Sequence, residues 1–322
     1  MIRINLSSSP VLQPPDINVF LLTGEPLTLV DTGFHTDLAW ESLNSQLAEH
    51  GFRLKDLEQV VLTHSHPDHF GLAARIADNA DVEILSHKDA ASLFLYRSED
   101  HKQGSDFLFE TLRKSGAPEG PLAKRLKPRN GKPGKPLSEP IEVTKLVRNG
   151  SVVSNGAESW EVIELPGHSP GMIGLYCKEK KELIASDHLL PEINSRPGLY
   201  RFPGSFERDS HFMGAYLETL EMINQMDLNV AWPSHGEAIS DVRTVSANWI
   251  EKHNLRTKFI AEPLGSSDKT AYQIWKSHFP HIMPFDPVKG LVEIITYLDL
   301  FVSKGKIKTY QQDGLIYYHL LV

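Results

Sequence analysis

Residues 59–69 read QVVLTHSHPDH and decide the fold class of this chain. The apolar residues near the start are typical of a buried strand. In extended backbone, side chains two residues apart point to the same side, so His64 and His66 face one position together. The proline that follows breaks the strand and turns the chain, which directs Asp68 and His69 to a second position beside the first. Three imidazoles and a carboxylate in this stretch indicate a site for a borderline metal ion such as zinc.

This HxHxDH pattern resembles the signature of the metallo-β-lactamase superfamily, and the resemblance implies three more metal ligands at later strand ends. Candidates occur in the required order: His168 in LPGHSPG, Asp187 in ASD and His235 in PSHG. Taken singly, each of the three could instead belong to an ordinary turn or helix end. Each directly follows an apolar run, so together they support one another. The family's pattern assigns His64, His66 and His168 to one metal ion, Asp68, His69 and His235 to a second, and Asp187 to a bridge between them.

The same resemblance implies two divalent metal ions as cofactors and a hydrolytic mechanism. Zinc suits these ligands best, and iron or manganese also fit them. Coordination lowers the pKa of a water molecule from 15.7 towards about 7, which gives a metal-bound hydroxide at neutral pH. Asp68 is the candidate catalytic residue, because a carboxylate there can orient this hydroxide and later pass a proton to the leaving group. No serine or cysteine nucleophile is required, and the single cysteine, Cys177, is expected to be an ordinary strand residue.

Four further residues are candidate parts of the site. Asp31, in the sequence DTG, matches a family position at which an aspartate lies beneath the metals and fixes ligand geometry without binding metal. The alternative is a simple turn after a strand. His188 directly follows the bridging aspartate, so it is a candidate hydrogen-bond donor behind the ligands. Tyr200 and Arg201 are candidate substrate contacts, since residues 195–206 resemble a substrate loop in related enzymes; a purely structural loop is the alternative.

The order of predicted strands and helices indicates an α/β fold with two sheets packed face to face and helices outside, an αββα sandwich. Residues 1–239 are expected to form this catalytic domain. Residues 240–322 are predicted to form three helices and a terminal hairpin, which resemble a winged-helix module. The predicted helices of this module cover residues 240–260, 268–277 and 288–303.

An insertion at about residues 97–140 interrupts the alternation of strands and helices. Residues 113–135 within it carry eight basic side chains and one acidic side chain, and the segment after residue 116 is rich in proline, glycine and lysine. One interpretation is a solvated surface loop. The other is a cap over the active site that attracts an anionic substrate. The sequence alone leaves both interpretations open.

Composition and charge narrow the class of protein. The chain has 322 residues, of which 40% are hydrophobic and 23% are charged, so a folded globular protein is expected. A net charge of -8 argues against a protein that coats nucleic acid. One cysteine excludes an intramolecular disulfide and favours the reducing cytoplasm. The N-terminal stretch lacks the basic and apolar regions of a secretory signal, and we expect no membrane association because no apolar run approaches the roughly 20 residues needed to cross a bilayer.

These features favour hydrolysis of a small-molecule carboxylic ester, thioester or lactone, because His168 lies in GHSPG, a context similar to that of thioesterase and lactonase-like members. A single-strand endoribonuclease is the alternative, since the terminal module resembles the tail of such enzymes. Residues from 240 onward carry ten basic and eight acidic side chains, which is a weak charge excess for an RNA-binding surface. A DNA-binding metal sensor is disfavoured because it would not need all seven ligands. A homodimer is a further expectation.

Overall fold

The computed structural model describes residues 1–7, 16–95, 98–126, 136–154, 158–193, 195–201, 210–265, 267–278 and 287–321. Two features predicted from the sequence fall partly outside these residues. Of the basic segment 113–135, residues 127–135 lie outside the described part. Of the candidate substrate loop 195–206, residues 202–206 lie outside it.

The first sheet contains six strands placed side by side in chain order: β1 Ile2–Ser7, β2 Asp16–Leu22, β3 Thr28–Val30, β4 Gln59–Val61, β5 Glu83–His87 and β6 Lys145–Val147. The pairs β1–β2 and β2–β3 are antiparallel, whereas the strands from β3 to β6 run parallel. β3 and β4 are buried at every position, as expected for parallel strands that are covered on both faces. The carboxyl end of β4 leads directly to the HxHxDH stretch.

The second sheet contains five strands in the spatial order β11-β10-β9-β8-β7: β7 Val152–Ser154, β8 Ser159–Glu164, β9 Ile173–Cys177, β10 Glu182–Ser186 and β11 Val230–Pro233. Only the β10–β11 pair of this sheet is parallel. A single apolar cluster fills the space between the sheets, with Phe20 and Val61 from the first sheet and Trp160 and Leu175 from the second. The two sheets therefore pack face to face, which confirms the fold class predicted from the sequence.

Helices cover the outer faces of the sheets: α1 Asp37–Glu49, α2 Pro67–Phe70, α3 Ala73–Ala77, α4 Lys88–Ala91, α5 Ser98–Lys114, α6 Glu119–Leu126 and α7 Phe212–Gln225. α1 begins where the Thr36 hydroxyl accepts a hydrogen bond from the backbone N–H of Ala39, and it buries Leu43 and Leu47 against the first sheet. α2 begins at Pro67, whose fixed φ suits the first helical position and whose missing N–H costs nothing there. This short helix carries two of the predicted metal ligands.

The C-terminal part contains α8 Val242–Ala261, α9 Ala271–His278, α10 Pro287–Ser303 and the hairpin β12 Ile307–Gln312 with β13 Leu315–Leu320. These elements share one apolar cluster with α7 and β10, to which α8 contributes Trp249 and α10 contributes Leu298. The Trp249 indole N–H also donates a hydrogen bond to the Leu190 carbonyl, at 2.9 Å. The order of helices and hairpin agrees with the sequence, while the division at residue 240 and the winged-helix assignment stay predictions. None of the helices in the described part of the chain is both long and apolar enough to span a membrane.

The structure differs from the sequence-based expectation in two elements. β1 pairs with β2 along its whole length, although the sequence analysis assigned no strand there. α6 lies inside the insertion, where composition suggested a loop, and it buries Leu122 beside Ala117 in the C-terminal cluster. The described part of the insertion is therefore folded onto the core, because Leu112 of α5, Ala117 and Leu122 of α6 share an apolar cluster with the C-terminal helices.

Candidate metal centre

The predicted metal ligands converge at one edge of the sandwich, where strands from both sheets end. β4 stops three residues before His64, and β10 stops directly before Asp187. β11 stops two residues before His235, while His168 lies in the turn between β8 and β9. The carboxyl ends of strands that run in the same direction lie at the same edge of a sheet, as those of β8, β10 and β11 do, so residues far apart in sequence come together here.

The ligand atoms form two groups, and within each group all of them lie within 4.8 Å of one another. The first group contains His64, His66, His168 and Asp187, and the second contains Asp68, His69 and His235. In the first group, Nδ1 of His66 lies 3.0 Å from Nε2 of His64 and 3.1 Å from Nε2 of His168. The family pattern divides the same residues between two metal ions, and that assignment stays a prediction.

Asp187 reaches both groups. Its Oδ2 lies 3.5 Å from Nε2 of His168 and 3.6 Å from Nε2 of His69, and its Oδ1 lies 3.4 Å from Nε2 of His235. In the second group, Oδ2 of Asp68 lies 3.3 Å from Nε2 of His235. The position of Asp187 between the groups is the one that a bridging carboxylate requires.

Three ligand atoms test whether the cluster fits a cation. His69 Nε2, Asp187 Oδ1 and His235 Nε2 are buried, and none of them has a hydrogen-bond partner among the described residues. A buried polar atom left without a partner costs about 1–3 kcal/mol, so three at one point need an explanation. Imidazole nitrogens and a carboxylate oxygen that converge in this way match the donor set of a divalent cation.

The electrostatics of the cluster also favour cation binding. Burial lowers the pKa of His168 to about 3, so its imidazole is neutral, which is the form that ligates metal. Burial opposes ionisation of Asp187, but the nearby imidazoles, His69 first, hold the pKa of this carboxyl well below its usual range. Burial also lowers the pKa of His69, yet Asp68, Asp187 and Asp31 raise it well above the usual value. A cation that binds here would displace that proton.

Asp31 contacts the outer side of the cluster. Its Oδ2 accepts a hydrogen bond from Nδ1 of His69 at 2.8 Å and another from the Thr63 hydroxyl at 2.8 Å, and its Oδ1 accepts one from the Thr63 backbone N–H. An ionised carboxylate accepts only, so Nδ1 of His69 carries the proton and Nε2 is left for a metal. A supporting residue would need such contacts, and the role of Asp31 stays a prediction.

The other imidazoles are held at their outer nitrogens by residues that the sequence analysis did not assign to this task. His64 Nδ1 lies 3.1 Å from the Thr63 hydroxyl, His168 Nδ1 lies 3.0 Å from the Ser195 hydroxyl, and His66 Nε2 lies 2.9 Å from the Tyr200 hydroxyl. His235 Nδ1 donates to the Asp16 backbone carbonyl at 2.8 Å. Among these partners, Thr63 is the one whose place in the sequence, directly before the first ligand, could have revealed that it contacts a ligand.

Three residues remain from the sequence analysis: His188, Arg201 and Cys177. His188 is fully buried, but its Nε2 lies 3.0 Å from the Thr219 hydroxyl and its ring lies 4.8 Å from that of Tyr216, both on α7. Arg201 is half-buried and adjoins residues outside the described part of the chain. Cys177 is buried in β9, as expected for a strand residue.

Comparison with known proteins identifies the family. A sequence profile of the Metallo-beta-lactamase superfamily matches residues 12–235. The chain belongs to this superfamily. The probable metallo-hydrolase YqjP of Bacillus subtilis is 28% identical over 305 residues, which are 94% of this chain and 93% of that protein. The family and the cluster together make the chain a metal-dependent hydrolase.

A solved structure and a second curated protein are also similar to this chain. A metallo-beta-lactamase family protein from Thermus thermophilus has a similar structure, with a TM-score of 0.77 over 99% of this chain and 98% of its own, at 22% identity. It therefore supports the fold along the whole chain, including the C-terminal elements. Hydroxyacylglutathione hydrolase GloC of Haemophilus influenzae is 27% identical over 134 residues, which are 42% of this chain and 50% of that protein.

Proposed function

We propose that this chain uses two divalent metal ions to hydrolyse a small-molecule carboxylic ester, thioester or lactone. The observation that carries the proposal is the convergence of seven buried or half-buried ligands in two groups, with Asp187 within reach of both. His64, His66 and His168 would hold one ion, Asp68, His69 and His235 the other, and Asp187 would bridge them. Zinc is the proposed metal, since imidazoles outnumber carboxylates in this donor set.

The protein's contribution to the reaction is to fix the ligands and to handle protons. Bound metal ions supply Lewis acidity, which lowers the pKa of a coordinated water molecule and polarises a carbonyl oxygen. Asp31 holds the ring of His69 in one tautomer, and Thr63 links Asp31 to His64. Ligands held in this way need no reorganisation during the reaction.

Asp68 is the proposed proton-transfer group. Burial raises the pKa of its carboxyl, but the positive charge on His69 and the other nearby imidazoles bring the pKa below the usual value, so the group is ionised at neutral pH. An ionised carboxylate in the cluster can accept a proton from the attacking water and return it to the leaving oxygen or sulfur. The balance of the step is simple: water adds to the carbonyl carbon, and the acyl–oxygen or acyl–sulfur bond breaks.

Two observations favour a small acyl substrate over RNA. The net charge of -8 repels a polyanion as a whole. The relative named hydroxyacylglutathione hydrolase acts, by that name, on a thioester. The basic residues of the insertion and Arg201, which we propose as a substrate contact, suit an anionic group of a small substrate and RNA phosphates equally well, so they do not discriminate between the two.

A paired assay tests this proposal. Acyl-coenzyme A thioesters, acylglutathiones and lactones are offered to purified protein in one arm, and labelled single-stranded RNA in the other. The Asp68→Asn variant is run beside Asp227→Asn. The control removes an exposed carboxylate paired with Lys181, and this pair precedes the amino ends of β10 and β11, whereas Asp187 and His235 follow their carboxyl ends. We expect acyl hydrolysis in the wild type and in Asp227→Asn, with a loss of about 10²- to 10⁴-fold in Asp68→Asn. RNA cleavage with the same mutational pattern, and no acyl hydrolysis, would overturn the substrate class.

A further inference from the structure

The loop of residues 195–201 contacts two ligands of the first group. Ser195 lies 3.0 Å through its hydroxyl from Nδ1 of His168, and Tyr200 lies 2.9 Å through its hydroxyl from Nε2 of His66. Both contacts are made on the side of the ring that faces away from the other ligands. One short loop therefore controls two of the three imidazoles of the first group.

This loop is packed against the second half of the chain. The ring of Tyr200 lies 5.4 Å from that of Phe212 at the start of α7. Burial raises the pKa of the Tyr216 phenol on α7, and the nearby Ser195 offsets part of that rise. The ring of Tyr216 in turn lies 5.3 Å from that of His253 on α8.

An ion pair joins the same loop to the C-terminal helix α10. Arg196, next to Ser195, lies 3.7 Å from Oε2 of Glu293, whose side chain is only 5% exposed. Glu293 also pairs with Arg256 on α8. One turn further along α10, the Tyr297 hydroxyl lies 2.5 Å from Nδ1 of His253. The loop that holds His66 and His168 thus rests on α8 and α10.

The second group is supported from another part of the molecule. His69 donates to Asp31, which follows β3, and His235 donates to the backbone carbonyl of Asp16 at the start of β2. Both supports belong to the first sheet, and neither involves the loop of residues 195–201. His64 shares this support, because Thr63 joins it to Asp31, but His66 and His168 depend on a different part of the chain from His69 and His235.

We propose that Ser195 and Tyr200 are positioning residues for the first metal ion, and that through their loop the C-terminal helices stabilise this ion and not the second. The inference rests on the proposed function, because it needs a metal centre. An imidazole that binds metal through one nitrogen carries a proton on the other, and a partner for that proton fixes the ring and its tautomer. His168 can donate to the Ser195 hydroxyl, and His66 can donate to the Tyr200 hydroxyl.

Metal binding by the purified protein tests this proposal without any substrate. The variants are Ser195→Ala and Tyr200→Phe, each of which removes one hydroxyl, with Asp227→Asn as the control. Zinc is titrated against a chromophoric chelator, and the cobalt-substituted proteins are compared by visible absorption. We expect one of the two zinc ions to bind about 10- to 100-fold more weakly in each variant. The affinity for the other zinc ion should stay within about twofold of the wild-type value. Arg196→Gln, at a half-exposed position, is expected to weaken binding of the same zinc ion to a smaller extent.

Circular dichroism and the thermal midpoint of the apo proteins show whether the variants fold. A variant that loses both zinc ions in parallel while it remains folded would overturn the proposal, as would two folded variants with unaltered affinities. Tyr200→Phe keeps the ring and its contact with Phe212, so it is the variant that separates loss of the hydroxyl from loss of packing. A wild-type protein that binds no divalent ion would overturn the proposed function itself, whereas two tight ions with unaltered variants would overturn only this inference.

Discussion

Gly167 sets the position of the ligand that follows it. Its φ is +129°, and a Cβ built at this residue would lie 2.3 Å from Cβ of Tyr216 on α7. Only glycine lets the turn between β8 and β9 approach α7 this closely, and the approach brings His168 to the cluster.

We therefore expect Gly167→Ala to lower the free energy of unfolding by roughly 1–3 kcal/mol or more and to weaken metal binding, because the turn must move away from α7. Urea unfolding and zinc content measure the two effects. Gly51→Ala is the matched control: its φ of +83° is also unfavourable to alanine, but no atom lies within 4 Å of the added Cβ. Equal effects of the two substitutions would show that close packing at Gly167 is unimportant.

Asp31 makes the outer contacts of the cluster through both carboxylate oxygens. Asparagine tolerates the positive φ of 61° at this position, so Asp31→Asn keeps the backbone while it replaces one acceptor by a donor. We expect metal affinity to fall about 10- to 100-fold, since His69 or Thr63 loses its acceptor. Chelator competition measures the affinity. An unchanged affinity would mean that Asp31 does not orient the ligands.

At the scale of elements, a hydrogen bond joins α8 to the segment that follows β10 and contains Asp187. The Trp249 indole donates to the carbonyl of Leu190, in the segment that follows β10. Trp249→Phe keeps much of the ring but leaves that buried carbonyl without its donor, so we expect a loss of about 1–3 kcal/mol in the free energy of unfolding. Urea unfolding at constant metal occupancy tests this. No change in the unfolding midpoint would mean that water replaces the indole.

Periodicity and turn residues predicted most elements, but not all of them. The apolar residues at the start of QVVLTH predicted a buried strand before His64, and β4 lies there. α6 was missed because proline, glycine and lysine around it suggested a loop, whereas the burial of Leu122 against other elements stabilises it. Local sequence does not contain that tertiary contact.

In the metal site, too, local sequence predicted some residues, while others depend on tertiary contacts. The ligands were predictable because each lies in a recognisable motif after a strand, so the sequence indicates where the side chain lies. Ser195 and Asp16 were not, because a serine hydroxyl or a backbone carbonyl becomes a partner of His168 or His235 only once distant segments meet. Tyr200 was predicted as a substrate contact, and its hydroxyl instead lies against His66. Its role towards substrate stays a prediction.

At the scale of the whole molecule, the C-terminal helices close the core beside α7. Tyr216, Leu220 and Ile223 on α7 share an apolar cluster with α8 and α10. A fragment of residues 1–239 would expose these side chains to water, so we expect it to aggregate or to unfold far below the midpoint of the full chain. Solubility and thermal unfolding of the fragment measure this. A stable monomeric fragment would support an independent catalytic domain ending at residue 239.

Metal binding should stabilise the whole fold. A ligand at about 100 times its dissociation constant adds about 2.7 kcal/mol to the free energy of unfolding, and each kcal/mol moves the midpoint of a large domain by about 2 °C. We therefore expect chelation of both ions to lower the midpoint by about 5 °C or more, and zinc to restore it. Calorimetry of the apo and reloaded protein measures the shift. Identical midpoints would contradict a resident metal centre.

The most direct test of the metal centre is the number of divalent ions per chain, measured by inductively coupled plasma mass spectrometry after gel filtration. The wild type and Asp187→Ala are compared, since Asp187 lies between the two ligand groups. We predict two ions per chain in the wild type and fewer than one in the variant, whose remaining ligands lose their shared carboxylate. A folded wild type without stoichiometric metal, or a variant that retains both ions, would contradict the account.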